Sequence, residues 1–470
     1  MSAMPANFTR VSGNASSAFH QHGRDMTTFS VGRQRCIWRE RPRHSGFSIV
    51  AILAALLSVF GVLTLPPLCQ AKLVIDVDNP NLVKMPIAVP HFWSQSQGPL
   101  DGADLAAIHR NDLSLTGLFQ VIDGSGVSVS IGNAEPDFDQ WSRLGVQALV
   151  LGNYEVVGDE LILEARLYDV PLRRIELGKR FRGKIADHRR MIHRFGDLVM
   201  EKLTNVKGCF STRIAFAGEA PTREIFSMDY DGHNLRQVTA NGAINLSPEW
   251  SPDGGRLLFT TYIHNKPDLW LWDLARGQGW PLSARAGLNV AGRFSPDGRT
   301  IAASLSFQGI PKIYEITIEG SIIKRLTDGR GNDISPSWSP DGSAIAYVSD
   351  QAGSPQIYVV SVNGGEPRRV TFQSSYNTDP DWSPRGDCLA FSARIDGRFQ
   401  ICTIKVDGSD FRVLTNKGSN QDPAWSPDGR MIAFVSNRSG QKLIYVMDAY
   451  GQIQIPVSRV AGKSPAWSRN

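Results

Sequence analysis

The chain has 470 residues, 41% of them hydrophobic, with 44 Gly and 27 Pro; that gives room for two or three domains and a turn-rich composition suited to a globular β protein. Its formal charge of +5 is local, because residues 1–71 hold seven Arg against two acidic residues and leave 43 basic and 43 acidic residues in the remainder. A neutral body excludes an electrostatic footprint for nucleic acid.

Residues 1–71 read as a leader. Arg33, Arg35, Arg39, Arg41 and Arg43 precede an uncharged run over 47–65, and then come Pro66-Pro67-Leu68-Cys69-Gln70-Ala71. A positive region, an apolar run and a small residue describe a secretory signal cleaved after Ala71. The competing reading is a retained anchor, since the 19 apolar or small residues of 47–65 approach a bilayer span. Met26 is an alternative start, which leaves residues 1–25 as leader without a fold.

Residues 72–205 form a small mixed α/β domain. It opens on Lys72-Leu73-Val74-Ile75-Asp76-Val77, a short apolar stretch expected to pack on its own domain, followed by a strand over 85–90. Asp101 to Asp112 reads as a helix, with Leu105, Ile108 and Leu113 recurring along it. Strand-like runs over 147–154, 160–169 and 174–184 follow, the first two joined by Gly158-Asp159 as a hairpin. A second helix, with Asp187 as N-cap, places Ile192, Phe195, Val199 and Leu203 on one stripe. His188 and His193 on that helix are five apart and share no face, so no metal site is read there. Residues 206–208 are the linker.

The remainder, 209–470, is a repeat. Ser-Pro pairs fall at Ser251, Ser295, Ser339, Ser383 and Ser426, in steps of 44, 44, 44 and 43 residues. Each copy reads as four short strands, and four strands at a period of 40–45 residues describe a propeller blade. Ile214-Ala215-Phe216 fits the second strand of a blade that lacks its own Trp-Ser-Pro-Asp-Gly, and Pro465-Ala466-Trp467-Ser468 supplies the missing strand. The fold class is therefore mainly β, a six-bladed propeller closed by the C-terminal strand, so that no sheet edge is left open.

The repeated residues are structural. In Ser-Pro-Asp-Gly, Pro fixes φ, Asp bonds its own downstream backbone and Gly takes positive φ. Trp250, Phe294, Trp338, Trp382, Trp425 and Trp467 supply one flat ring per blade to fill the wedge between sheets, each worth about 2–3 kcal/mol. The repeated Asp lie one per blade, too dispersed to converge on Ca²⁺. Cys209, Cys388 and Cys402 are an odd, sparse set, so they read as small buried hydrophobes and no disulfide framework. A hairpin turning near Asp396-Gly397 sets Cys388 opposite a residue near 405 and apart from Cys402.

The residues just ahead of each ring vary between copies: Asn245 and Leu246, then Leu288, Asn289, Val290 and Ala291, then Asp333 and Ile334, Asn377 and Thr378, and Gln421 and Asp422. If the strand that bears the ring lines the channel, they circle one mouth. Mixed apolar and amide residues there suit a protein-docking surface.

A leader, the Leu-Val-Ile-Asp start, a small α/β domain and six such repeats together resemble the TolB family of the Tol–Pal system, over residues 72–470. The resemblance implies a non-enzymatic periplasmic adaptor supporting outer-membrane integrity and envelope constriction at cell division. It implies a monomer with no cofactor and no metal, whose membrane association is only through partners. The lipoprotein Pal would bind at the propeller mouth, through Leu288 to Ala291 and Asp333-Ile334, with Asn245, Leu246, Asn377, Thr378, Gln421 and Asp422 added by ring symmetry. TolA would engage Lys72, Leu73, Val74, Ile75, Asp76 and Val77, and other outer-membrane or periplasmic proteins are further candidates. Two departures weaken the local rim: Arg385 stands where the fourth copy should have Asp, and Gly292-Arg293-Phe294 replaces Pro-x-Trp in the second. The rival is a propeller-containing periplasmic hydrolase or lyase acting on peptide or polysaccharide. A Gly-x-Ser-x-Gly elbow, which a serine peptidase of that kind needs, occurs nowhere in the chain.

Overall fold

The computed structural model of the chain describes residues 75, 83–94, 98–124, 126–127, 135–219 and 222–469. The expected leader, and residues 72–77 apart from Ile75, lie outside them. Among the described residues no helix is long and apolar enough to cross a membrane.

The N-terminal domain runs β1 (Met85–Ala88), β2 (Trp93–Ser94), α1 (Gly102–Leu115), β3 (Phe119–Ile122), α2 (Phe138–Arg143), β4 (Ala148–Val157), β5 (Glu160–Asp169), β6 (Arg174–Lys184) and α3 (His188–Thr204). The sheet order is β3-β1-β4-β5-β6, with β2 also on β4; β1 pairs in parallel with β3 and β4, while β4, β5 and β6 are antiparallel. The β4–β5 hairpin turns at Gly158, whose φ of 64° needs no Cβ. Helix α1 starts where the Asp101 carboxylate accepts the Ala103 N–H at 2.8 Å. Asp187 stands at the N-cap of α3 but makes no side-chain cap, because a 3₁₀ turn over Ile185–Asp187 leads into the helix. At its other end Asn205, with φ 57°, returns its N–H to Glu201 O.

Helices α1 and α3 cover one face of the sheet, and their expected apolar residues share a core with Ile87, Val150, Leu161 and Leu163. The other face is closed by Phe138 and Trp141 of α2 against Leu149 and Tyr168. Strands β2 and β3 and helix α2 carry no sequence signal. They span two, four and six residues, too few for a period to show.

The C-terminal part is six four-stranded sheets. Blade 1 comprises, from the inside outward, Gly462–Trp467, Arg213–Gly218, Ile225–Asp229 and Arg236–Gln237; Trp467 registers with Ile214 and closes the ring. Blades 2 to 6 start their inner strands at Asn245, Asn289, Asp333, Asn377 and Asn420. The inner-strand rings fill the gaps between blades as expected: Trp250 Nε1 donates to Ala466 O of blade 1 at 3.2 Å, and Trp338 Nε1 to Arg293 O of blade 3 at 3.1 Å.

The turn chemistry also appears atom by atom. Ser251 Oγ and the Gly255 N–H both bond Asp253 Oδ1, at 2.5 and 3.0 Å, and Gly254 takes φ 69°. At the departure in the fourth copy the Arg385 N–H donates to Ser383 Oγ at 3.2 Å and Gly386 keeps φ 80°, so the turn survives the loss of the carboxylate. Cys388 registers with Lys405, and all three described cysteines are free. The α1–α3 core runs on through Cys209, Phe210 and Tyr230 to Trp467 and Val457, joining the domain to blades 1 and 6.

Candidate functional site

Each inner strand begins at one mouth of the channel and ends on its aromatic ring at the other. The expected docking residues are therefore at the first mouth, and the Ser-Pro-Asp-Gly turns are on the opposite face. On that opposite face Pro427 and Asp428 of blade 6 line, with Asp197 and Glu201 of α3, a cleft of about 670 Å³ between propeller and N-terminal domain. The N-terminal domain and the first mouth thus occupy opposite faces.

At the first mouth the expected residues divide. Asn245, Asn289, Asp333 and Asn377 are buried, and their side chains work inside the fold. Asn245 donates to Glu224 Oε2 at 3.2 Å, Asn377 to Gln356 Oε1 at 2.9 Å, and Asp333 accepts Lys312 Nζ at 2.7 Å, each bond tying one blade to the next. Asn289 accepts Ser283 Oγ at 2.7 Å. The same clamp in blade 6 is Asn420, on Gln400 Oε1 at 2.8 Å, one residue ahead of the pair chosen from sequence. Leu246, Val290, Ala291, Ile334, Thr378, Gln421 and Asp422 are half-buried, and Leu288 is exposed in its loop. Around them the loops expose apolar side chains: Ile244, Ile263, Ile310, Tyr376 and, at 66% exposure, Phe372. Exposed apolar side chains on the loops of this mouth suit an interaction surface.

Behind the mouth lies a ring of which only Ala291 and Asp422 were expected from sequence, and those as docking residues. Ser247, Ala291, Ser335, Asp379, Asp422 and Ser464 all have φ between 49° and 54°, and in every inner strand the register slips at this point. The bulge turns these six residues into a channel waist of about 60 Å³. The available signal was the dipeptide itself: five of the six precede Pro, which cannot donate to a ladder.

The waist is acidic. Burial and the neighbouring Asp422 push Asp379 up to about 8. Asp422 Oδ2 accepts the Ser464 N–H at 2.9 Å. Just below, Arg293 pairs with Glu249 and faces Asp381, which burial pushes up to about 6 against the pull of that guanidinium. Arg293 fills the variable position between Gly292 and Phe294 in the second copy and, with Arg469, brings positive charge to this part of the channel.

The N-terminal segment is represented by Ile75, which is buried and donates its N–H to Leu203 O at the end of α3 at 2.8 Å. The packed arrangement expected for 72–77 is the one seen at this residue. One further cluster sits where α1, α3 and blade 1 meet. His193 Nδ1 lies 3.0 and 2.9 Å from the two oxygens of Asp112, Tyr230 Oη donates to Asp112 Oδ1 at 2.5 Å, and Arg189 pairs with Asp231. Asp197, one turn beyond His193, accepts the Phe210 and Ser211 N–H groups at 2.6 and 3.1 Å. The side chains of Asp112, His193 and Asp231 are 0–2% exposed, so no substrate reaches them. The legible hint was a second stripe on α3, Arg189, His193, Gly196 and Met200, facing the propeller. A Cβ on Gly196 would come within 2.8 Å of Phe210.

Residues 73–174 match the family model described as the TolB amino-terminal domain, and residues 200–470 match that of the TolB beta propeller domain. A Tol-Pal system protein TolB from Desulfosudis oleivorans is 38% identical over 221 residues, which cover 44% of this chain and 49% of that protein. One from Polaromonas naphthalenivorans is 33% identical over 239 residues, 50% of this chain and 53% of that protein. The chain thus spans about half the length of the curated relatives it matches. The crystal structure of TolB from Acinetobacter baumannii superposes with a TM-score of 0.73 at 26% identity, covering 82% of this chain and 97% of that one. With a propeller model that matches more than half of its residues and an amino-terminal model ahead of it, the chain belongs to the TolB family.

Proposed function

We propose that the chain is a non-enzymatic periplasmic adaptor of the Tol–Pal system, exported by its 1–71 leader and acting as a monomer. It takes Pal at the first mouth of the propeller and TolA through residues 72–77, in support of outer-membrane integrity and constriction at division. The observation that carries the reading is the apolar rim of Ile244, Leu288, Ile310, Phe372 and Tyr376 on the face turned away from the N-terminal domain. Exposed apolar loops over an acid-lined throat suit a protein partner; the buried Asp112–His193–Asp231 cluster, closed to solvent, offers no catalytic site.

In this reading Pal meets the accessible residues Leu246, Leu288, Val290, Ala291, Ile334, Thr378, Gln421 and Asp422, while Asn245, Asn289, Asp333 and Asn377 hold the rim in shape. The 72–77 segment exchanges between packed and released forms, and its coupling to Pal is reciprocal in binding free energy. The test is calorimetric titration of residues 72–470 with the soluble domain of Pal from the same organism, beside the double variant Leu288→Asp, Ile334→Asp. Saturable binding that the variant abolishes supports the mouth as the docking site. Absence of binding by the folded wild type removes the adaptor reading.

A further inference from the structure

The cluster between the domains has a feature the adaptor reading leaves unused. His193 sits between the two domains: Nδ1 is within hydrogen-bond distance of Asp112 of α1 at 2.9 Å, and Nε2 lies 3.5 Å from Asp231 Oδ2 of blade 1, an ion-pair distance at which it makes no hydrogen bond. Neutral imidazole carries a single N–H, so it can serve one carboxylate as donor and must turn a lone pair on the other. Only imidazolium turns an N–H and a positive charge to both.

We propose that His193 is a proton-operated clamp between the two domains: as imidazolium it bridges Asp112 to Asp231, and loss of its proton breaks the contact on the propeller side.

Charge balance supports the assignment. Burial raises Asp112 from its ordinary value while His193 and Tyr230 pull it back. With Asp112 and Asp231 both ionised, the Arg189 guanidinium and the His193 imidazolium match them and the cluster is neutral. Removing the proton strands a negative charge where the side chains of Asp112, His193 and Asp231 are 0–2% exposed and that of Arg189 15%. The same count leaves no place for a divalent cation, since Arg189 already holds Asp231. The groups facing His193 come from three elements. Helix α1 supplies His109 and Asp112, α3 supplies His188 and Arg189, and the turn after the third strand of blade 1 supplies Tyr230, Asp231 and His233. His109 is fully buried with both nitrogens unbonded, and burial beside His193 pushes it down to about 3, so it stays neutral. Burial also lowers His188. Burial alone would lower His193 too, but the two carboxylates outweigh it and hold its pKa above 6.5; Asp231 is held low by His193 and Arg189 against its burial.

The sign follows from linkage. A histidine that binds its proton more tightly folded than unfolded contributes fully below the ordinary value of 6.5, and the contribution disappears as pH rises through the folded midpoint. Helix α3 carries the consequence along its length. Arg189 and His193 meet blade 1, Asp197 holds the linker amides of Phe210 and Ser211, and Leu203 holds Ile75. Release at His193 therefore loosens the helix that anchors the N-terminal segment, whichever partner the propeller takes.

The test is imidazole nitrogen NMR on residues 72–470, a compact unit, from about pH 5 to about pH 9. Amide exchange at Phe210 and Ser211, corrected for intrinsic base catalysis, is read in the same samples. The expected result is a His193 midpoint above 6.5, with protection at both amides falling about tenfold across it. His193→Gln keeps a donor for Asp112 without a charge and should hold protection constant over that range. Asp231→Asn should lower the His193 midpoint while leaving His188 unmoved. A wild-type midpoint at or below 6.5, or a His193→Gln protein with wild-type pH dependence, overturns the clamp. Should His193→Gln fail to fold, an unshifted midpoint in Asp231→Asn overturns it equally.

Discussion

Lys312 Nζ lies 2.7 Å from Asp333 Oδ2, with both side chains 2% exposed, and this ion pair joins blade 3 to blade 4 where the following junctions use amides, Gln356 with Asn377 and Gln400 with Asn420. The ammonium is completed by Gly331 O at 2.5 Å and Asp328 O at 3.2 Å. A charge pair and an amide pair thus do the same mechanical task at equivalent positions of one ring.

Removing one partner should be far worse than exchanging both. Asp333→Ala leaves a buried ammonium without its counter-charge and is expected to cost about 3–5 kcal/mol, whereas the double exchange Lys312→Gln, Asp333→Asn installs the neighbouring amide pair and should stay within about 1 kcal/mol of wild type. Chemical unfolding of wild type and these two variants measures this. A double variant as unstable as the single one would mean the blade 3–4 junction cannot accept the amide geometry.

The channel waist sets a pH dependence of its own. Burial and Asp422 push Asp379 up to about 8, so between the ordinary 3.8 and about 8 the folded chain holds a proton that the unfolded chain has lost, and stability falls as pH rises across that window. Asp379→Asn removes the titration while keeping the shape. Its melting temperature should exceed wild type by on the order of 2–4 °C near the top of the window and vary less with pH. Parallel melting curves over the whole range would show that the waist does not raise Asp379.

Ring closure rests heavily on one side chain. Trp467 donates Nε1 to Thr212 Oγ1 at 2.6 Å, stacks on Tyr230 with centroids 6.4 Å apart, and registers with Ile214. Trp467→Ala is expected to cost about 3–5 kcal/mol, and Trp467→Phe about 1 kcal/mol for the lost hydrogen bond. Loosening of the closing strand exposes the edge of Arg213–Gly218, so the alanine variant should also self-associate with concentration in light scattering. A monomeric alanine variant of near-wild-type stability would place ring closure elsewhere in the blade 1–blade 6 contact.

The sequence by itself determined the elements whose causes are local. Ser251-Pro252-Asp253-Gly254 builds its turn from its own atoms, so its repetition at a near-constant step specifies the blades, and the unpaired Pro465-Ala466-Trp467 specifies how the ring closes. The stripe of Ile192, Phe195, Val199 and Leu203 specifies the buried face of α3 in the same way. The tertiary structure alone decided what depends on groups brought together from distant points of the chain. From sequence Asn245, Asn289 and Asn377 look like polar rim residues, yet the fold turns each inward to bond a partner beside it in space. Asp379 becomes a weak acid because the packed blades bury it in a narrow waist and a bulge in the adjacent blade sets Asp422 near it. His193, set aside as one of two histidines that share no helix face, meets Asp112 from 81 residues away and Asp231 from the other domain. Burial and electrostatic environment are sums over spatial neighbours, and those neighbours exist only once the blades and helices have packed.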